Sequence, residues 1–259
     1  MTFRVNVRFT LLVLVALLAA CTTTEEGVRP GSQPNLEEAA KLNTQLGIDY
    51  LRKGQFDQAL EKLKKALQQD PNLGMAHSVI ALVYQRKGET DLAGKHYRDA
   101  LDENANDPDT LNNFGVFLCA QGELEDAEKS FLKAARAKDY ATPEDAWANA
   151  GVCIRREPKN AERAETYFRE ALRINPRHPN ALAQLASLTY EKKDYLRARA
   201  FLQRYQSVAR DTPQTLLLGA RTERALGDMQ SARAYERRLR VEFPEAPETD
   251  ELGKPSGKR

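Results

Sequence analysis

Residues 59–66 read ALEKLKKA, residues 93–100 AGKHYRDA and residues 127–134 AEKSFLKA. In each octet an alanine is followed four residues later by a bulky side chain (Leu63, Tyr97, Phe131) and seven later by a second alanine (Ala66, Ala100, Ala134), and the octets lie 34 residues apart. That spacing puts the three side chains on one face of a helix. Gly47, Ala81 and Gly115 stand upstream at the same interval of 34. A self-similar unit of this length is a small structural element repeated, so the chain reads as a stack rather than as one globule around one core.

The frame shifts by two residues near Ala141-Thr142. It then continues through Trp147, Gly151, Ala164, Phe168, Ala171 and Pro176, through Ala186, Ala198 and Leu202, and through Ala220, Ala232 and Pro244. Six repeats start near residues 40, 74, 108, 144, 179 and 213. A small residue, a large one, two alanines and a proline at fixed offsets resemble the tetratricopeptide pattern. The resemblance implies an all-α, right-handed α-solenoid of six tetratricopeptide repeats, each a pair of antiparallel helices, over residues 40–246. Small residues let paired helices approach to about 8–10 Å. Gly88, Gly122 and Gly227 supply left-handed turns between them, and Pro71, Pro176 and Pro244 close second helices. The pattern departs at Arg156–Glu162, where Pro158 and one extra residue replace the turn glycine. It departs again at Thr189, Tyr205, Glu223 and Glu236, so repeats five and six are expected to be the least regular. Residues 247–259, polar and rich in structure breakers, are expected to form a disordered tail.

The first twenty residues read as an address. Arg4 and Arg8 precede an almost wholly apolar run from Phe9 to Ala20. Twelve helical residues span about 18 Å, short of the roughly 30 Å of a bilayer core, so residues 1–20 fit a signal peptide. The run ends in Leu18-Ala19-Ala20-Cys21, which resembles the lipobox of bacterial lipoproteins. That resemblance implies that Cys21 becomes an acylated N-terminus anchored by several chains, each buried methylene contributing about 0.8 kcal/mol. Thr22 stands where an Asp would signal inner-membrane retention, which favours the outer membrane. Residues 21–39 are expected to be the lipidated cysteine and a flexible tether.

Composition limits the function. The 259 residues are 41% hydrophobic and 29% charged, with 39 basic and 37 acidic side chains. Removing residues 1–20 takes away two arginines and no acid, leaving a formal charge of zero. A neutral chain has no global attraction to nucleic acid, and none is expected as a partner. The three histidines, His77, His96 and His178, include no pair at the helical i, i+4 metal spacing, and there is no CxxC, GxGxxG, GxxxxGK[ST] or GxSxG. No metal, cofactor, small-molecule substrate or catalytic residue is therefore expected, and the chain does not read as an enzyme. A monomer is expected.

What remains is a binding surface. In this repeat class the concave face is lined by the first helix of each pair. Projecting it gives an apolar stripe of Ile48, Leu51, Met75, Leu82 and Val116, with Asn112 and other polar groups at its rim. The stripe suits an amphipathic helix or an extended segment; the alternative is that ordinary inter-helix packing covers it. Thr44 and Ile48 stand where a carboxylate-clamp groove needs Lys and Asn, which argues against recognition of a free C-terminal acid. Cys119 and Cys153 fall on the first helices of adjacent repeats among Ala120, Ala150 and Gly151. In an oxidising compartment such neighbours permit a disulfide, and two buried free thiols are the alternative.

The stretch 111–119 (LNNFGVFLC), Tyr140-Ala141-Thr142-Pro143 and the stretch 147–153 (WANAGVC) are more specific than the generic repeat. With the lipobox and six repeats they are similar to the PilF/PilW family, the type IV pilus biogenesis lipoproteins or pilotins. The resemblance implies an outer-membrane lipoprotein facing the periplasm of a Gram-negative bacterium. Its partner would be a secretin subunit, which it helps to localise and multimerise, or the pilus, which it stabilises. The alternative is a general tetratricopeptide adaptor lipoprotein serving peptidoglycan hydrolases or barrel assembly.

Overall fold

The computed structural model describes residues 35–252, which are helical throughout apart from connecting turns. Cys21, the signal peptide, most of the expected tether and residues 253–259 lie outside the described residues. Six helical hairpins follow one another. They are α1 (Leu36–Arg52) with α2 (Phe56–Gln69), α3 (Gly74–Lys87) with α4 (Thr90–Glu103), and α5 (Pro108–Gln121) with α6 (Leu124–Ala135). Then come α7 (Pro143–Ile154) with α8 (Ala161–Ile174), α9 (Pro179–Glu191) with α10 (Tyr195–Gln206), and α11 (Pro213–Ala225) with α12 (Met229–Glu242). A short α13 (Pro247–Asp250) ends the described chain.

Local chemistry explains the boundaries. Asp107, Asp194 and Asp228 accept backbone N–H bonds at the starts of α5, α10 and α12, and Thr212 forms a capping box with Thr215 on α11. Prolines occupy the first position of α5, α7, α9 and α11, where a missing N–H costs nothing. Between hairpins, Asp70, Asn104 and Asn175 each accept the N–H two residues on, at 3.2, 3.1 and 3.1 Å, so one Asx turn recurs with the repeat.

The octet pattern acts through close approach. A Cβ on Gly47 would sit 2.5 Å from Leu63, and one on Gly115 would sit 2.8 Å from the Phe131 ring. Leu63, Tyr97, Phe131 and Phe168 are fully buried between the two helices of their hairpins, beside the alanines of the pattern. Each first helix also touches the first helix of the next hairpin, while second helices make no comparable contact with one another. The first helices therefore form the inner wall of a curved stack.

Three expectations need correction. The ordered helix begins at Leu36, inside the segment expected to be tether, with Asn35 capping it through Glu38 N–H at 3.2 Å. The tail does not end order at residue 246. Leu252 packs against a cluster of Leu216, Leu217 and Leu239, Gln214 donates to Glu248 at 2.6 Å, and Arg221 pairs with Glu251 at 2.8 Å. Repeats five and six are regular, because each departing side chain has a partner. Thr189 donates to Leu185 O, Tyr205 to Arg210 O, Glu223 pairs with Arg199 and Glu236 with Arg224. Lys193, at φ 62°, takes the left-handed turn position that glycine fills elsewhere. The interrupted repeat is the fourth, where a 3-10 turn at Pro158–Asn160 leads into α8. The insertion before it places Tyr140 in a pocket of Leu111, Ala134, Ala135 and Ala146.

Candidate functional site

The first-helix wall contains the residues projected from sequence, in three different states. Met75 on α3 and Val116 on α5 are exposed, at 62% and 40%. Ile48 and Leu51 on α1 and Leu82 on α3 are half-buried, packed against the main apolar cluster of hairpins one to three. Asn112 accepts a hydrogen bond from Asn149 at 3.0 Å, tying α5 to α7. Of the projected stripe, Met75 and Val116 are open to solvent, while Ile48, Leu51 and Leu82 also serve the core. Cys119, on the same helix α5, is buried, and its Cα lies 5.8 Å from that of Cys153, within the span of a disulfide.

Further along, the wall becomes polar. Arg155, at the end of α7, reaches Gln184, Ser187 and Glu191 on α9, so one guanidinium bridges two first helices. Beyond it, Arg156 donates to the carbonyl of Cys119. Buried hydroxyls elsewhere are structural: Tyr97 donates to Gln85 at 2.8 Å, and burial holds its phenol well above the usual range. Tyr167 donates to Glu128 at 2.6 Å, and burial, then that carboxylate, push its pKa up to about 12.

No arrangement of nucleophile, base and oxyanion donors occurs among the described residues. One open groove, of about 770 Å³, mixes Glu123, Glu125 and Asp126 with Lys129 and Arg163, a solvated surface of both signs. Of the histidines, His178 caps α9 by accepting from Ala181 N–H at 3.1 Å and meets Asp145 at 2.9 Å. His77 and His96, on different helices, stand with their Nδ1 atoms 3.0 Å apart beside Asp99. Sequence reading missed this group because it sought ligands one turn apart on a single helix. The available signal was the i, i+3 spacing of His96 and Asp99 on α4. Burial, and then the His77 ring, push the His96 pKa down to about 4, so the imidazole is neutral at pH 7.

Six stacked helical hairpins, glycine and alanine at the helix contacts, and a first-helix wall with no catalytic group define a tetratricopeptide-repeat scaffold. A family model described as tetratricopeptide repeat matches residues 44–108 and 115–179, and a second, also described as tetratricopeptide repeat, matches 156–222. The chain is 31% identical over 248 residues to the type IV pilus assembly protein PilF of Pseudomonas aeruginosa, covering 95% of this chain and 98% of that one. Two solved structures are similar to it. That of Pseudomonas aeruginosa PilF has a TM-score of 0.78 at 31% identity, covering 83% of this chain and 97% of that one. That of PilW, described as a widely conserved type IV pilus biogenesis factor, has a TM-score of 0.73 at 31% identity, covering 82% and 96%. The chain belongs to the PilF/PilW family of tetratricopeptide-repeat proteins. Among the described residues no helix is long and apolar enough to cross a membrane.

Proposed function

We propose that this chain is a pilotin: an outer-membrane lipoprotein, facing the periplasm, that binds a secretin subunit of the type IV pilus machine and promotes its outer-membrane localisation and multimerisation. The observation that carries the reading is end-to-end kinship with PilF, 31% identity spanning 98% of that relative. The first-helix wall supports it with an apolar stripe open at Met75 and Val116. Acylated Cys21 anchors the chain. The wall holds the subunit, and confinement near the membrane raises local subunit concentration so that rings assemble.

The test separates anchor from grip. Cys21→Ala leaves the fold intact and misplaces the secretin. Met75→Glu with Val116→Glu weakens binding while the acylated protein stays folded. Ile48 and Leu51 are poorer sites for a charge, because their side chains also pack on the core and a carboxylate there would destabilise the hairpin. Secretin rings forming normally in the outer membrane with all three changes combined would refute the mechanism. Capture of a peptidoglycan hydrolase or barrel-assembly component in place of secretin would refute the choice of partner.

A further inference from the structure

We propose that His77, His96 and Asp99 form a binding site for a zinc-like divalent transition-metal ion that clasps the second hairpin. His77 lies in the first turn of α3, and His96 and Asp99 lie three residues apart on α4. His77 Nδ1 and His96 Nδ1 are 3.0 Å apart, and Asp99 Oδ2 is 3.6 Å from the first and 3.8 Å from the second. Ligand atoms of a tetrahedral site with zinc–nitrogen and zinc–oxygen bonds of about 2.0–2.2 Å stand about 3.3–3.6 Å apart, a spacing these three edges bracket, so a small adjustment of the side chains would seat the ion. Two imidazole nitrogens and one carboxylate oxygen are a borderline-soft donor set, suited to zinc, copper or nickel rather than calcium or magnesium. A fourth position remains for water.

The surroundings orient the donors. His77 Nε2 lies 3.2 Å from the carbonyl of Pro71, to which it donates, and this leaves the Nδ1 lone pair aimed at the other two ligands. The His96 ring stacks on Tyr84 with centroids 5.7 Å apart, which fixes its plane. The three side chains are 14%, 17% and 28% exposed, open enough to admit an ion and enclosed enough to exclude most water. Lys95 Nζ sits 2.8 Å from the same Asp99 oxygen and competes with a cation there, but it is 63% exposed and free to swing into solvent. A bound ion would tie α3 to α4 and, through Pro71, steady the loop arriving from the first hairpin.

The test uses the full-length, untagged chain, stripped with chelator and titrated with zinc chloride by calorimetry and with cobalt by visible absorption. One zinc equivalent is expected to bind, with a tetrahedral cobalt spectrum. His77→Gln and His96→Gln should each weaken zinc by at least tenfold, and Asp99→Asn should do the same from a less buried position. Lys95→Gln should tighten it severalfold, an effect that a merely structural histidine pair would not produce. Circular dichroism checks that each variant keeps its helices. Absence of a saturable equivalent in the parent chain, or zinc binding unchanged in the folded His77→Gln/His96→Gln double variant, would overturn the proposal; in either case the short histidine contact is an ordinary hydrogen bond.

Discussion

Gly115→Ala is the sharpest test of how the repeats pack. By helix propensity alone the change stabilises α5 by about 1 kcal/mol. The structure predicts the opposite sign. The added Cβ would stand 2.8 Å from Phe131 Cδ1 and Cε1 and 3.0 Å from Cζ, while carbons in contact sit roughly 3.5–4.0 Å apart. Phe131 is 1% exposed, and a rigid ring so enclosed has nowhere to fold away. Overpacking costs about 1–3 kcal/mol, and against an enclosed ring the upper part of that range, about 2–3 kcal/mol, applies; with the propensity gain of about 1 kcal/mol returned the variant should lose about 1–2 kcal/mol. Gly94→Ala is the matched control. Its Cβ meets Phe117 at 3.3 Å, a contact that a small adjustment relieves, and the variant should fall within about 0.5 kcal/mol of the parent. Urea midpoints on the full chain, followed by circular dichroism, measure both. Gly115→Ala as stable as the parent, or more so, would refute the close-approach argument. Phe131→Leu in the Gly115→Ala background should recover part of the loss.

Three further outcomes follow from single contacts. Lys193→Gly should raise stability by up to about 1 kcal/mol in the same titration, because a left-handed conformation strains any residue with a Cβ while glycine's extra freedom in the unfolded chain offsets only part of the gain. Arg199→Ala leaves Glu223, 5% exposed, with its charge unpaired, and should lower stability by about 2–3 kcal/mol, whereas Arg199→Met with Glu223→Leu should recover most of that. We propose that Cys119 and Cys153 are oxidised in the periplasm. Denatured, unreduced chain should then titrate no thiol from either, and reduction should cost about 3–4 kcal/mol for a loop of this length. Two thiols titrating before reductant is added would sink that assignment.

The solenoid was legible because its packing is periodic. Ala59, Ala93 and Ala127 mark helix contacts directly, and Leu63, Tyr97 and Phe131 mark the space beside them, so sequence spacing and physical contact coincide. Departures from the pattern were harder to weigh. Glu223 and Thr189 look like defects at positions meant for apolar residues, but Arg199 and the carbonyl of Leu185 satisfy them, and neither partner is visible from the repeat frame. Leu252 looks like part of a polar tail, yet it finds an apolar cluster on the final hairpin. On the first-helix wall, projection named a face but not what lies behind it. It could not separate open Met75 from Ile48, whose side chain also serves the core. The His77–His96–Asp99 group was hidden for a related reason: its members sit on two helices, and only the hairpin turn brings them together.

The grip itself is best tested by site-specific photocrosslinking in pilus-forming cells. A photoreactive residue at Met75 or Val116 probes the first-helix wall, and one at Leu196, 68% exposed on the second helix α10, probes the opposite side at an exposure close to the 62% of Met75. The account predicts covalent adducts with secretin from Met75 and Val116 and none from Leu196. Adducts from Leu196 alone, or no secretin adduct from the wall, would contradict it.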